Sequence, residues 1–210
     1  MKQKIIFCDI EGTILHYKKH FQSYAEIIDE DQSLGKAVYR DIKNGEERLC
    51  KMFNSLSSGP AYISELTLTL VSDLREKGYI FALISGLGRE SLQKRLEILP
   101  KSDYIICENG AVVYQNNIID TDWSARAESG KGQAAAYLLE KLQIDPRNCL
   151  ALIDNDNDLP LTQITRRILI PQISGPELNA AIAQNPHWYL AKRKGILATE
   201  ECLERILGFK

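Results

Sequence analysis

Residues 5–15 read IIFCDIEGTIL. An uninterrupted apolar run meets Asp9, then Glu11, Gly12 and Thr13, and the sequence then becomes apolar again. A continuous apolar run of this kind is typical of a strand that is buried on both faces of a parallel sheet. Carboxylates at the end of a buried strand lose hydration unless a partner compensates them. The stretch therefore predicts a central strand that places acidic side chains in a functional site at its carboxyl end.

Other segments of the chain extend this pattern into an α/β fold. Five further apolar runs share the character of the first, and the last of them is weaker: 79–85, 103–108, 149–154, 167–171 and 187–191. Leucines or alanines recur with helical spacing in four segments: 66–74, 92–99, 132–142 and 199–207. This alternation predicts a Rossmann-like parallel sheet with helices on both faces. Residues 111–120 predict a hairpin that turns at Asn116 and Asn117, because asparagine tolerates positive φ.

Residues 16–63 do not follow this alternation. SSGP (57–60) closes the segment. Before it, apolar residues recur with helical spacing: Leu34, Val38, Ile42, Leu49, Met52, Phe53 and Leu56. The spacing predicts two or three helices that form a small cap insertion over the sheet. The expected domains are an α/β core (1–15 and 64–210) and a helical cap (16–63). His16 and His20, four positions apart, are expected to contact substrate at the mouth of this lid.

Composition excludes several functional classes. The net charge of −2 argues against a protein that binds nucleic acid by neutralising phosphates. No apolar run approaches the ~20 residues that span a bilayer, and no signal peptide is evident, so we expect no membrane association and a cytoplasmic location. The five cysteines form no CxxC pair, which argues for a reducing compartment and against a zinc site.

The carboxyl ends of three predicted strands carry polar side chains. Asp9 and Glu11 follow the first strand, Ser85 and Gly86 the second, and the segment DNDND (154–158) a third. Ligands of an open parallel sheet bind at this edge, so these groups are expected to converge. Clustered carboxylates repel one another unless a cation joins them, and oxygen ligands without His or Cys favour Mg²⁺.

These elements, in this order, resemble the haloacid dehalogenase (HAD) superfamily of phosphatases. DIEGT (9–13) resembles the D-x-D-G-T motif of that family, and ISG (84–86) resembles its Ser/Thr at the second strand end. Lys131 is similar to the family's phosphate-binding lysine, and DNDND to its G-D-x-x-N-D signature. ENGAVVY (108–114) is similar to a segment of the Cof-like, sucrose-phosphatase and mannosyl-phosphoglycerate-phosphatase branch.

The resemblance implies a Mg²⁺-dependent phosphohydrolase that acts on a small phosphorylated metabolite. Asp9 would attack phosphorus and form an aspartyl-phosphate, and Glu11 would act as the general acid and base. The metal ligands implied are Asp9, the backbone carbonyl of Glu11, Asp154 and Asp158. The phosphate-binding groups implied are Ser85, Gly86, Lys131 and Asn157, of which Asn157 would help to hold the lysine or the metal shell.

Glu11 is the main departure from the family pattern. The family has Asp at this position, and the extra methylene displaces the acid by roughly a bond length, where misplacement near 1 Å can cost about 10²-fold in rate. Two alternatives therefore stay open: a catalytically impaired phosphate-binding or regulatory protein, and an enzyme like acireductone synthase (enolase-phosphatase), which shares the DIEGT string. A mutase or phosphotransferase would differ only in the acceptor of the phosphoryl group.

Overall fold

Strands and helices alternate along most of the chain. The structure, a computed structural model, describes residues 3–55 and 59–209. In chain order its strands are β1 (Lys4–Asp9), β2 (His16–Tyr17), β3 (Ala25–Asp31), β4 (Lys36–Asp41), β5 (Glu47–Ser55), β6 (Gly59–Ser64), β7 (Tyr79–Ile84), β8 (Tyr104–Cys107), β9 (Val112–Gln115), β10 (Ile118–Ile119), β11 (Cys149–Leu152), β12 (Arg167–Ile170) and β13 (Tyr189–Leu190). Its helices are α1 (Lys18–Phe21), α2 (Glu65–Glu76), α3 (Arg89–Gln93), α4 (Thr121–Ala125), α5 (Lys131–Leu142), α6 (Leu159–Thr162), α7 (Pro176–Gln184) and α8 (Gly195–Leu207).

Within residues 3–55 and 59–209, the core is an eight-stranded sheet in the order β10-β9-β8-β7-β1-β11-β12-β13. Strand β1 lies near its centre and pairs in parallel with β7 and β11. Strands β9 and β10 form the predicted hairpin, in which Asn116 and Asn117 have φ of 50° and 65°. The predicted Rossmann-like α/β fold is confirmed, with an antiparallel extension at one edge.

Two apolar layers cover the faces of this sheet. Ile6 and Cys8 of β1 pack in a cluster with buried side chains of α2 and α8. The alternate residues, Ile5 and Phe7, belong to a second cluster with side chains of α5, α6 and α7. Strand β1 is therefore buried on both faces, which explains why its sequence is apolar at successive positions.

Two helices differ in length from their predictions. Helix α3 ends at Gln93, and residues 94–99 continue as turns and a bend. Leu92 in the helix and Leu99 after it are both buried in the core. Helix α8 begins at Gly195, one turn before the predicted residue 199. Helical spacing located both apolar faces, but the ends depend on backbone conformation, as at Gly195, whose φ is +55°.

The prediction of a helical cap over residues 16–63 is wrong. Among the described residues, this segment forms a five-stranded antiparallel sheet in the order β2-β6-β5-β4-β3, together with the one-turn helix α1. We call residues 16–63 the insert. Leu56 and the residues Ser57 and Ser58 of the predicted closing segment lie outside the described residues, while Gly59 and Pro60 begin β6.

The error follows from the spacing on which the prediction rested. Residues four apart share a face of a helix, but they also share a face of a strand. Leu34 and Leu49 are 67% and 62% exposed, whereas Tyr39 of β4 is fully buried. Two glycines with positive φ, Gly35 and Gly45, lie in the turns between β3, β4 and β5. Alternating exposure and these turns are the marks of a meander.

The insert packs against the start of α8. Its own apolar cluster includes Ile196 and Leu197 of that helix. Glu200, which is fully buried, accepts hydrogen bonds from Arg48 of β5 at 2.8 Å and from Ser64 at 2.7 Å. A buried charged network therefore fixes the insert sheet to the core. In the part of the chain that the structure describes, no helix combines the length and apolarity needed to span a bilayer.

Candidate active site

Three carboxylates and one ammonium group meet beyond the carboxyl ends of β1 and β11. Asp9, Asp154 and Asp158 each place a carboxylate oxygen within 4.8 Å of the others. Lys131 Nζ donates to Asp9 Oδ1 and to Asp158 Oδ1, both at 2.6 Å. All four residues are at least 95% buried. The structure therefore brings together the acids and the lysine that the sequence had identified as separate motifs.

The turn after β1 brings Gly12 and Thr13 close to Asp154. Ile14 and Leu15 both donate backbone hydrogen bonds to the carbonyl of Ile10, so the chain coils directly after Asp9. Gly12 has φ of +86°, and a Cβ added to it would lie 2.3 Å from Asp154 Oδ2. Only glycine fits this position, because both the backbone conformation and the neighbouring carboxylate exclude a side chain.

Hydrogen bonds fix both oxygens of Asp154. Oδ1 accepts from Thr13 Oγ1 at 3.1 Å, and Oδ2 accepts from Ser174 Oγ at 2.6 Å. Gln172 Nε2 makes a longer contact with Oδ2, at 3.4 Å. The loop after β12 thus supplies Ser174 and Gln172, which sequence motifs had not indicated.

Backbone amides hold the second oxygen of Asp158. Oδ2 accepts from the backbone N–H of Asn155 at 3.2 Å, while Oδ1 is bound by Lys131. Asn155 in turn starts a short 3₁₀ turn at 156–158 as its N-cap. The DNDND segment therefore aims two of its three aspartates at the cluster, and Asp156 instead accepts from the backbone of Leu178 at 2.7 Å.

The ENG segment (108–110) supports the lysine. Gly110 has φ of +93°, and a Cβ there would lie 2.2 Å from the carbonyl oxygen of Gly130, which directly precedes Lys131. Trp123 Nε1 donates to the carbonyl of Gly110 at 3.0 Å and holds the turn in place. The motif that marked a branch of the family in the sequence here packs against the start of α5, where the lysine begins the helix.

Glu11 lies between Ser85 and a buried arginine. Ser85 Oγ donates to Glu11 Oε2 at 2.8 Å, and Arg95 Nε lies 3.3 Å from Glu11 Oε1. The side chain of Arg95 is only 5% exposed, and that of Glu11 is 27% exposed. No sequence motif indicates Arg95, which follows a helix of ordinary composition.

Burial and like charge shift the pKa values of this site. Burial, followed by the charge of Asp158, holds the pKa of Asp9 well above its ordinary range, although Lys131 opposes the shift. Burial raises the pKa of Asp154 to about 6. Burial also raises the pKa of Glu11, against the opposing effects of Ser85 and Arg95. Burial alone would lower the pKa of Lys131, but the two aspartates raise it above its usual value.

Not every predicted site residue joins the cluster. Gly86 lies two residues after β7, where Asn109 packs so closely that a Cβ on Gly86 would be 2.8 Å from Asn109 Oδ1. Asn157 is exposed, and among the described residues no hydrogen bond links it to Lys131. His16 is buried with Nε2 at 2.9 Å from Thr199 Oγ1, whereas His20 is exposed.

The residues present fit a divalent cation. The cluster offers three buried carboxylates against one ammonium group, so its ionised form carries excess negative charge that a cation would balance. All three are hard oxygen donors, and neither His nor Cys belongs to the group. This donor set suits Mg²⁺ or a similar hard ion better than zinc.

A cavity of about 250 Å³ opens beside this cluster. Its walls come from the strand-end loops and from the first residues of the insert, and among the lining residues are Glu11, Asp154, Ser174, Lys19, His20 and Tyr24. The cavity therefore has acidic groups supplied by the core and cationic and aromatic groups supplied by the insert.

Solved structures share this fold along nearly the whole chain. Sucrose-phosphatase from Synechocystis sp. PCC6803, solved with sucrose and phosphate, matches with a TM-score of 0.62 and 14% identity, covering 98% of both chains. A haloacid dehalogenase-like hydrolase from Bacillus subtilis matches with a TM-score of 0.58 and 15% identity, covering 99% of this chain and 90% of that one.

A third structure has a smaller overlap. The 3-deoxy-D-manno-octulosonate 8-phosphate phosphatase from Moraxella catarrhalis, solved with magnesium, phosphate and its KDO molecule, matches with a TM-score of 0.52 and 17% identity, covering 97% of this chain and 85% of that one. No protein-family model matches the sequence. The chain has the fold of the haloacid dehalogenase-like hydrolases.

Proposed function

We propose that this protein is a divalent-metal-dependent phosphohydrolase that removes phosphate from a small phosphorylated metabolite through an aspartyl-phosphate on Asp9. The observation that carries the proposal is the buried cluster of Asp9, Asp154, Asp158 and Lys131. Burial of these four charged groups costs desolvation free energy, and apolar residues would fill a purely structural core at lower cost. The cluster therefore favours a functional site at this edge of the sheet.

The reaction takes place in two displacements. A carboxylate oxygen of Asp9 forms a bond to phosphorus while the ester P–O bond breaks, and Glu11 gives its proton to the leaving oxygen. Water then attacks the phosphorus of the aspartyl-phosphate, Glu11 takes a proton from that water, and the carboxylate of Asp9 is released. Lys131 fixes Asp9 through Oδ1, and among the described residues no hydrogen bond occupies Asp9 Oδ2.

Charge neutralisation supplies most of the catalysis in phosphoryl transfer. Lys131 is placed to offset the negative charge of the nucleophile and of a bound phosphate, and Ser85 with the amides after β7 would complete the cradle. The cation, held by Asp9, Asp154, Asp158 and the backbone carbonyl of Glu11, would when bound neutralise phosphate charge and keep the aspartates ionised.

The insert serves as a lid in this proposal, over a core of residues 1–15 and 64–210. The adjoining cavity of about 250 Å³ is smaller than the roughly 300–1,000 Å³ of pockets for drug-sized ligands. Its size therefore favours a phosphorylated metabolite over a protein substrate. Lys19 and His20 of the insert favour a substrate with polar or anionic groups beyond the phosphate.

A steady-state assay tests the proposal. The protein is incubated with p-nitrophenyl phosphate and with a panel of sugar phosphates, with Mg²⁺ or with EDTA. We expect turnover that requires the metal and that Asp9→Asn abolishes. Asp29→Asn, at an exposed position of β3, is the matched control and should leave the rate unchanged.

One observation favours a second function. Both oxygens of Glu11 face protein groups, Ser85 and Arg95, so the acid is partly withdrawn from solvent. A phosphate-binding or regulatory protein without turnover would be consistent with that arrangement. Tight binding of inorganic phosphate with no hydrolysis of any ester in the panel would favour this function over the enzyme.

A further inference from the structure

Arg95 is buried, but it has an incomplete set of partners. Its Nη1 donates to the carbonyl of Ser91 and its Nη2 donates to Tyr17 Oη at 3.0 Å. The guanidinium also lies over the ring of Phe53, 5.2 Å from the centroid. Its Nε and Glu11 Oε1 are both buried and find no hydrogen-bond partner among the residues that the structure describes, although they lie only 3.3 Å apart. The two atoms thus form an ion pair whose geometry does not make a hydrogen bond.

Glu11 has a positioning requirement that an aspartate would not have. Its extra methylene adds a rotatable bond, so the carboxyl group can occupy more places than that of Asp. Ser85 restrains Oε2, and among the described residues Arg95 is the cation that faces Oε1. Each oxygen of the glutamate therefore has its own partner: Ser85 hydrogen-bonds to Oε2, and Arg95 forms an ion pair at Oε1.

We propose that Arg95 is a positioning residue for Glu11, which holds the carboxyl group where it exchanges a proton with the leaving oxygen. The role rests on the proposed phosphohydrolase function. Arginine suits it because a guanidinium stays charged when buried and presents several donors in a fixed plane. Catalytic hydrogen bonds are often long in ligand-free structures and tighten in the Michaelis complex, so we expect Arg95 Nε to donate to Glu11 Oε1 once substrate is bound.

The contacts of Arg95 also connect Glu11 to the insert. Tyr17 belongs to β2 and Phe53 to β5, so both partners lie on the insert sheet. A movement of that sheet would therefore move the guanidinium that restrains the acid. Closure of the insert over a substrate would therefore be coupled, through Arg95, to the positioning of Glu11 as the proton donor.

The choice of ester separates a positioning role from a structural one. The phenolate of p-nitrophenyl phosphate leaves without protonation, whereas the alkoxide of a sugar phosphate requires a proton donor. For the sugar phosphate that the wild type hydrolyses fastest, Arg95→Met should lower kcat by about 10²-fold with KM within about threefold. For p-nitrophenyl phosphate the loss should stay under about tenfold. Arg95→Lys should recover part of the lost rate.

A double mutant tests whether Arg95 acts through Glu11. In the background Glu11→Gln, Arg95→Met should change the rate on the sugar phosphate by less than about twofold, because the acid it positions is already absent. Arg75→Met is the matched control, since Arg75 pairs with Asp103 at 2.7 Å, outside the site, and its loss should affect both esters alike. If Arg95→Met does not fold, Tyr17→Phe removes the hydrogen bond to Nη2 and should show the same preference between esters, at smaller size.

Three results would overturn the inference while the proposed function stands. These are equal losses on both esters, losses that multiply in the double mutant, and a raised KM with unchanged kcat, which would assign Arg95 to substrate binding. Absence of turnover by the wild type on every ester would instead overturn the proposed function, and the positioning role with it.

Discussion

Replacement of Lys131 by methionine tests the central cluster independently of any substrate. Methionine keeps a similar volume but removes the charge that now lies 2.6 Å from both Asp9 and Asp158. The side chains of these aspartates are only 7% and 0% exposed, so water cannot replace the ammonium group. Loss of one partner from a buried ion pair costs about 3–5 kcal/mol.

This cost should be visible in thermal unfolding. For a chain of this length each kcal/mol lowers Tm by about 2–4 °C, so Lys131→Met should unfold roughly 10 °C below the wild type in EDTA. Mg²⁺ should reverse part of the loss, because the variant offers three carboxylates to the cation without a competing ammonium group. A ligand at 100 times its Kd stabilises by about 2.7 kcal/mol, and tighter binding by the variant adds to this.

The assay is calorimetric unfolding of wild type and variant at pH 7.5, in EDTA and across a Mg²⁺ titration. Lys141→Met is the matched control on the same helix. Lys141 pairs with Asp120 at 2.8 Å, outside the cluster, so its loss should lower Tm without any added response to Mg²⁺. Unfolding of Lys131→Met at the wild-type temperature would refute the buried ion pair as a source of stability. A Mg²⁺-dependent rise in its Tm no larger than that of the control would refute the cation site.

Two further substitutions test other parts of the site. Burial lowers the pKa of His16 to about 4, below its ordinary 6.5, so the folded protein binds fewer protons than the unfolded chain between these values. The contribution of His16 to stability should therefore fall by about 3 kcal/mol as pH drops from 6.5 to 4. In urea titrations His16→Gln should remove this part of the pH dependence. Gly12→Ala combines a φ of +86° with a clash at 2.3 Å from Asp154 Oδ2. Gly78→Ala has a φ of +84°, but no atom of the described residues lies within 4 Å of the added Cβ. We expect Gly78→Ala to cost about 1–2 kcal/mol from strain alone, and Gly12→Ala to cost more and to abolish the stabilisation by Mg²⁺; equal effects of the two would contradict the close approach to Asp154.

The core was predictable because its strands are buried on both faces. A run such as that of β1 has no polar positions to confuse its period, and Asp9 interrupts it at the point where the strand ends. Strand ends of a parallel sheet meet at one edge, so the convergence of Asp9 and Asp154 followed from topology. Lys131 required the family resemblance, since a lysine at the start of a helix is otherwise unremarkable.

The insert and Arg95 were not predictable by the same reasoning. A spacing of four is shared by helices and strands, so it could not distinguish them. The Asn44-Gly45 pair, which lies between β4 and β5, is a strong hairpin signal and was the better guide to this segment. Arg95 reaches Glu11 across 84 positions of sequence, through a turn that extends α3. A contact of that kind depends on tertiary packing and has no local pattern.

The edge strand of the insert sheet bears on aggregation at high protein concentration. Strand β3 is the last in its sheet, with an irregular register between Ile27 and Asp29 and exposed acids at Asp29 and Asp31. An unpaired row of backbone groups is a template for aggregation, and charges and bulges are the usual protection. We therefore expect Asp29 and Asp31, which have no part in the proposed chemistry, to oppose edge-to-edge pairing between copies of this protein.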